Sequence, residues 1–236
     1  MVLFALITWQ VAADGPARSV DERIERAIVG LGPEPLTEFL ADLGNLAVAL
    51  PVLTAALAYA LWRDRTARRR SGGHEDGGRA DGGSPRTGGT RRRRYEALGI
   101  VLVMVALPAF VVPLKALIDR PGPLADGSGI GGTGGYYPSG HAATAMVAYC
   151  GAALLLAPYQ RRRWAMPAAW VLTLATGIGL VLRGYHWPLD VLGSWCLCGA
   201  LLLISSISSI RSISSISSRD RRRSSGRTRT GCTGPS

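Results

Sequence analysis

The sequence predicts an all-α protein, a polytopic membrane helix bundle of about six transmembrane helices. Two observations predict it. Five stretches without a charged residue are each about 17 to 20 residues long, which is the length an α-helix needs to cross about 30 Å of hydrocarbon. The basic residues fall in blocks between these stretches instead of being mixed into them. The five predicted spans are 43–62, 98–114, 142–160, 164–182 and 191–210.

The first thirteen residues form a sixth apolar segment, 1–13, which is short for a span. It has neither the basic leader nor the small-residue cleavage site of a signal peptide. We interpret it as a short or truncated first transmembrane helix, with the true start codon upstream. The alternative is an apolar end that lies on the membrane surface.

The net charge of +11 indicates orientation and not a nucleic-acid partner. Of 27 basic residues, 21 lie in 63–96, 159–163 and the tail after 210, which six spans place on one side. Arg and Lys accumulate in short cytoplasmic loops. Nucleic-acid binding would need basic residues spread over one face or interleaved with aromatic side chains. We therefore expect both termini in the cytoplasm and 14–35, 119–140 and 183–188 outside it.

Two segments are predicted to lack a packed structure. Residues 71–90 are rich in glycine, within an Arg/Gly-rich cytoplasmic linker at 63–96, and 205–218 repeat Ser-Ser-Ile before an Arg/Ser/Thr tail. Neither composition buries a core. The predicted domains are thus a transmembrane bundle at 1–204, including the linker, and a disordered cytoplasmic tail at 205–236. The repeat also allows a brief extension of the last helix.

Ionisable residues at the ends of the spans are the candidates for chemistry, because such groups are expensive at membrane depth. They converge on the outer side in three segments. Lys115 and Arg120 follow the third span, Ser139, Gly140 and His141 begin the fourth, and the turn before the sixth carries Arg183, His186 and Asp190. This set contains two histidines, three cations and a Ser-Gly pair at a helix start. It is suited to a site that binds an anionic group and supplies a nucleophile and an acid.

The spacing assigns roles within this set. Pro188 suits the first helical turn, so Asp190 lies one turn beyond His186 and can orient its imidazole. A carboxylate on one ring nitrogen leaves the other free to attack, which makes His186 the candidate nucleophile. The Ser139 hydroxyl can cap the helix that begins at Gly140, whose first N–H groups then face a phosphate. His141 can protonate a leaving oxygen.

These blocks resemble the type 2 phosphatidic acid phosphatase superfamily, integral membrane lipid phosphatases related in fold to vanadium haloperoxidases. The family pattern is K-x6-R-P, P-S-G-H and S-R-x5-H-x3-D, on the outer side of a six-helix bundle. The resemblance covers roughly 36–204. Residues 138–141 match the second block in full, and His186 and Asp190 match H-x3-D. The resemblance implies His186 as nucleophile, Asp190 as its partner, His141 as general acid and Lys115 as a phosphate contact.

Both arginines of the family pattern are displaced. The first is expected at Gly122, whereas the nearest guanidinium is Arg120. The second is expected at Leu180, preceded by Gly179 instead of Ser, and the available arginine is Arg183. A shift of three keeps nearly the same helix face, so Arg183 is a plausible substitute. Pro121 and Pro123 break the helix near Arg120, whose long side chain still has reach.

The resulting expectation is a metal-independent phosphatase with no cofactor, acting on a lipid phosphate at the plasma membrane. The candidate substrates are polyprenyl pyrophosphate, phosphatidic acid and phosphatidylglycerophosphate. Two alternatives remain: a phosphotransferase that uses the same phosphohistidine, and a non-catalytic protein that binds lipid phosphate. Membrane lipids are expected partners, and the oligomeric state is left open.

Two further features of the sequence do not predict a cofactor or metal site. Residues 129–134 satisfy G-x-G-x-x-G, but no strand precedes them, so dinucleotide binding is not expected. Asp119, Asp126 and Asp190 are too scattered along the sequence for a metal cluster.

Overall fold

The computed structural model describes residues 1–72, 87–123, 135–157 and 162–228. The predicted linker centre at 73–86, the glycine motif at 129–134, Asp126 and the last eight residues lie outside these ranges. All regular structure in the described ranges is helical. Its eight helices are α1 (Val2–Ala12), α2 (Pro16–Ile28), α3 (Glu34–Asp42), α4 (Leu46–Gly72), α5 (Thr87–Ile118), α6 (Gly140–Leu156), α7 (Arg162–Leu182) and α8 (Pro188–Thr228).

Within the described ranges, four helices are long and apolar enough to span a membrane, and two shorter apolar helices accompany them. The long segments are Leu46–Ala67, Arg93–Ile118, Arg163–Leu182 and Pro188–Ser208, and the shorter helices are α1 and α6. The prediction of an all-α multi-pass bundle is confirmed.

Helix α6 forms the centre of the bundle, since it packs against α4, α5, α7 and α8. Twelve of its residues are buried, and most of them are alanine, glycine or another small residue. Small side chains let neighbouring helices approach closely, which is the usual means of packing helices in a membrane. At Gly151, a Cβ would lie 2.8 Å from Ile100 of α5, so the absence of a side chain is required there.

Helices α2 and α3 differ from the expected loop at 14–35. Helix α2 begins with Pro16 in its first turn, a position that proline favours because its missing N–H needs no partner there. Its charged residues Asp21 and Glu25 face inward and are buried. No apolar periodicity predicts this helix, because its inward face is acidic instead of apolar.

The Ser-Ser-Ile repeat also differs from expectation, since α8 continues through it to Thr228. The predicted unstructured segment 205–218 is therefore helical. Isoleucine recurs every third residue from Ile204, so each isoleucine lies within one helical turn of the next. The serine-rich composition of this segment predicted a lack of packed structure. Helical backbone hydrogen bonds are local, however, and do not need an apolar sequence.

Candidate active site

The site forms where α5 and α7 end and α6 and α8 begin. Helix α5 stops at Ile118 because Asp119 adopts a left-handed backbone (φ 42°) and two prolines follow. The chain then returns to the start of α6, with the Tyr136 N–H donating to the Arg120 carbonyl (2.9 Å). Asp119 therefore marks the end of α5.

His186 and Asp190 lie side by side, as their spacing predicts. The His186 Nδ1 is 3.4 Å from the Asp190 Oδ2, which also accepts the Trp187 N–H (3.2 Å). Asp190 is fully buried and His186 is 6% exposed. With Nδ1 directed at the carboxylate, Nε2 is the ring nitrogen left for a substrate. Tyr136 packs edge-on against the imidazole, with 5.8 Å between ring centroids.

Arg120 is buried between two carboxylates. Its NH1 donates to the Asp190 Oδ1 and its NH2 to the Asp21 Oδ2, both at 2.7 Å. The guanidinium also lies 5.0 Å from the Trp187 ring centroid, a cation–π contact. We call the four residues His186, Asp190, Arg120 and Asp21 the His186 network.

Asp21 is the member that sequence reasoning missed. It belongs to no motif, and 99 positions separate it from Arg120. Its other oxygen, Oδ1, accepts the N–H of Leu189 in the first turn of α8 (2.8 Å). Burial raises the pKa of Asp21, and the hydrogen bond and charge of Arg120 oppose that rise. The only available signal was the four-residue spacing of Asp21 and Glu25, which places two acids on one helix face.

The start of α6 is fastened to the start of α8. The Ser139 Oγ caps α6 by accepting the Ala142 N–H (3.3 Å), and the Ser139 N–H donates to the Asp190 carbonyl (3.1 Å). Ser194 donates to the Ser139 carbonyl (2.8 Å). Ser139 is fully buried, so its hydroxyl acts as a cap, while the Cβ direction of Gly140 opens on empty space. The helix start therefore presents backbone to that space.

Lys115 and His141 complete the group. His141 is the exposed residue in the first turn of α6, and both His186 and Lys115 are within electrostatic reach of it. Lys115 is half-buried at the end of α5, within electrostatic reach of Asp190. The structure thus brings together Lys115, His141, His186 and Asp190 from the end of α5, the start of α6, and the start of α8 with its preceding turn.

Arg183 has a different environment. Its NH1 lies 3.0 Å from the Glu34 Oε1 and its Nε lies 2.8 Å from the Glu38 Oε2, and both acids are on α3. The Tyr185 hydroxyl donates to the Glu38 carboxylate (3.0 Å). We call Arg183, Tyr185, Glu34 and Glu38 the Arg183 cluster. Both displaced arginines therefore bind carboxylates, and their phosphate contacts stay predictions.

The two positions where the family carries arginine are filled by other groups. A Cβ at Gly122 would lie within 2.3–2.8 Å of the Tyr136 ring. Leu180 is 1% exposed and packs with Ala41 of α3. Next to it, a Cβ on Gly179 would come within 2.5 Å of the Ala41 backbone nitrogen. Close packing of α3 on α7 thus explains why glycine and leucine replace Ser-Arg.

Metal ligands do not cluster in the described ranges. Among those residues, no group of three or more His, Cys, Asp or Glu side chains could hold a metal ion.

The fold and the site together define a multi-pass helical membrane protein with a buried His-Asp pair at one end of the bundle. Residues 96–212 match the model of the PAP2 superfamily. This part of the chain belongs to that superfamily, which confirms the family expected from the three sequence blocks.

A solved structure supports the fold. The chain is similar to a transmembrane PAP2-type phosphatidylglycerolphosphate phosphatase from Bacillus subtilis, with a TM-score of 0.66 and 21% identity over 89% of this chain and 96% of that one. A search of curated proteins gave no match.

Proposed function

We propose that the protein is a membrane lipid phosphatase that hydrolyses a phosphate or pyrophosphate monoester of a lipid. The observation that carries this proposal is the Asp190 carboxylate at the Nδ1 of His186. A buried carboxylate there orients the ring and stabilises the charge that the ring gains when Nε2 attacks. Lys115 and His141 lie within electrostatic reach of each other at the same end of the bundle, and in this proposal they serve the bound phosphate.

The proposed reaction has two steps. The Nε2 lone pair of His186 attacks phosphorus, and the bond from phosphorus to the lipid oxygen breaks as His141 donates a proton to that oxygen. A water molecule then attacks the phosphohistidine, the P–N bond breaks, and His141 takes up a proton from the water. Each step is acid–base catalysed by the same residue in its two forms.

Phosphate binding in this proposal rests on Lys115 and on the start of α6 at Ser139 and Gly140. A helix N-terminus offers free N–H groups and a positive dipole end to an anion. Charge stabilisation of the equatorial oxygens is the main requirement of phosphoryl transfer. Arg120 and Arg183 stay predicted contacts, and the proposal does not depend on either because both bind carboxylates.

We place the reaction on the extracytoplasmic side of the plasma membrane. The site lies at the end of the bundle opposite the Arg-rich ends of α4 and α5, and basic residues mark the cytoplasmic side. The candidate substrates stay polyprenyl pyrophosphate, phosphatidic acid and phosphatidylglycerophosphate, and the name of the similar Bacillus subtilis phosphatase favours the last.

The test is phosphate release from these three lipid phosphates by detergent-purified protein and its His186→Ala variant. We expect release by the parent protein and a loss of at least about 10³-fold in the variant. A His74→Ala variant, changed in the linker, is the matched control and should keep full activity. Equal release by the parent protein and His186→Ala would refute the nucleophile. Added acceptor alcohols would reveal the phosphotransferase alternative as a phosphorylated product.

A non-catalytic lipid-phosphate-binding protein is the second candidate. It is favoured by Gly122 and Leu180, which stand where the family has phosphate-binding arginines. Such a protein would bind vesicles containing phosphatidic acid but would release no phosphate and form no acid-labile ³²P-labelled enzyme. The same purified protein distinguishes this outcome from turnover.

A further inference from the structure

Asp21 contacts two parts of the His186 network at once. Its Oδ2 accepts from Arg120 and its Oδ1 from the Leu189 N–H, at 2.7 and 2.8 Å. It comes from α2, an element outside the matched family region at 96–212. Its side chain is 2% exposed, so water contributes little to its solvation.

The charges of this network leave one negative charge in excess. Arg120 by itself would neutralise Asp190, because its NH1 binds the Asp190 Oδ1. A neutralised carboxylate stabilises a cationic imidazole less effectively. Asp21 adds a second carboxylate to the same guanidinium, so two negative charges face one positive charge.

We propose that Asp21 is a positioning residue for the proposed reaction: by sharing the charge of Arg120, it keeps Asp190 able to stabilise the cationic ring of phosphorylated His186. The inference rests on the proposed function for its catalytic consequence. When Nε2 bonds to phosphorus, the proton on Nδ1 stays and the ring becomes positively charged, while the electron pair of the broken P–O bond leaves with the lipid oxygen. The excess negative charge is therefore needed at this step.

Among the described residues, several other groups surround His186. His141 on α6 is within electrostatic reach of it, and Lys115 on α5 is within reach of His141 and Asp190. Arg120 binds Asp190, and Tyr136 and Asp190 contact the ring directly. The negative charge of Asp21 can be removed without deleting a direct contact to the ring, because Asp21 reaches it through Arg120 and Asp190. Asparagine at this position keeps the size of the side chain and an oxygen for the Leu189 N–H.

The test compares parent protein, Asp21→Asn and Glu25→Gln in detergent by NMR titration of ¹⁵N-labelled histidine. The chain has three histidines, so the His186 signal is assigned by its absence in His186→Ala. Removing a buried negative charge makes protonation of the ring less favourable. We expect the titration of His186 in Asp21→Asn to move to lower pH by about one unit. Glu25→Gln removes an acid one turn further along the same helix and should leave it in place.

Activity provides the second readout. Asp21→Asn should lose about tenfold in kcat with little change in KM, and the acid limb of its pH profile should move to lower pH. A double variant, Asp21→Asn with Arg120→Gln, removes one charge of each sign. It should return the titration of His186 towards that of the parent protein, whereas a purely structural role of Asp21 predicts no such return.

The outcomes separate the two proposals. A parent protein that releases no phosphate refutes the proposed function, while the titration still decides whether Asp21 acts on His186. An unchanged titration in Asp21→Asn overturns the inference. If Asp21→Asn does not fold, the double variant provides the test. A His186 titration that lies at lower pH in the double variant than in the parent protein contradicts the charge-sharing role.

Discussion

The His186 network and the Arg183 cluster contain the same pattern, one arginine between two acids, in opposite environments. In the His186 network the side chains of Arg120, Asp21 and Asp190 are at most 2% exposed. In the Arg183 cluster the Glu34 side chain is 76% exposed. Burial removes the water that would otherwise solvate each charge, so the buried groups depend on one another, whereas the exposed groups do not.

The difference assigns distinct roles to the two displaced arginines. Arg120 fixes the carboxylate that orients the reactive ring and ties it to α2. Arg183 links the turn before α8 to α3, on the outer surface of the bundle. An arginine that fixes a buried carboxylate is part of the fold, and its loss should be visible in stability before it is visible in activity.

The largest expected effect is that of Arg120→Gln on stability. The change leaves Asp21 and Asp190 buried without their cation, which typically costs about 3–5 kcal/mol in the free energy of unfolding. Denaturation in mixed micelles measures it. Adding Asp21→Asn should recover part of the loss because one unpaired carboxylate is then removed. An Arg120→Gln protein as stable as the parent would mean that the buried acids are protonated and the network is not ionic.

Much of the fold and the His186–Asp190 pair can be predicted from local sequence. The other contacts of the His186 network cannot, because they join residues that are distant in the sequence. Charge-free runs of sufficient length predicted the bundle, since hydrophobic length is a property of the segment itself. The four-residue spacing of His186 and Asp190 on one helix start predicted their contact. Asp21 was missed because no local spacing links α2 to Arg120.

The surroundings of Gly122 and Leu180 could not be predicted from the sequence either. The sequence shows that arginine is absent at both positions, but only the tertiary structure shows that Tyr136 and α3 occupy that space. The length of α8 was not predicted for another reason. Composition indicates whether a segment can be buried in a core, but the Ser-Ser-Ile segment is helical without an apolar composition.

A smaller effect is expected for Glu25→Gln, which tests a buried acid that lacks the cation available to Asp21. In the part of the chain that the structure describes, the Glu25 Oε1 has no hydrogen-bond partner. Burial raises the pKa of Glu25 above its ordinary 4.5, although Arg26 opposes the rise. As the pH increases, the Glu25 carboxyl therefore ionises in the unfolded chain before it ionises in the folded protein. The free energy of unfolding falls as the pH rises from 4.5 to the raised pKa.

Glutamine removes this pH dependence. At pH 7 we expect Glu25→Gln to be more stable than the parent protein by no more than about 1 kcal/mol, and at pH 4 the two should be alike. Unfolding midpoints measured at both pH values provide the comparison. A variant that is less stable at pH 7 would show that Glu25 has an ionic role like that of Asp21.

The smallest effect is expected for Arg183→Met. Exposed ion pairs contribute little because water screens them and the side chains lose freedom, so activity should stay within about threefold of the parent protein. Phosphate release at two salt concentrations measures it, with Glu34→Gln as the matched control on the other side of the same pair. If Arg183 were instead a phosphate contact, its loss would lower the rate by about 10²–10³-fold, as for other donors that stabilise transition-state charge. Glu34→Gln would then leave the rate intact or raise it, because the guanidinium would be released towards the substrate.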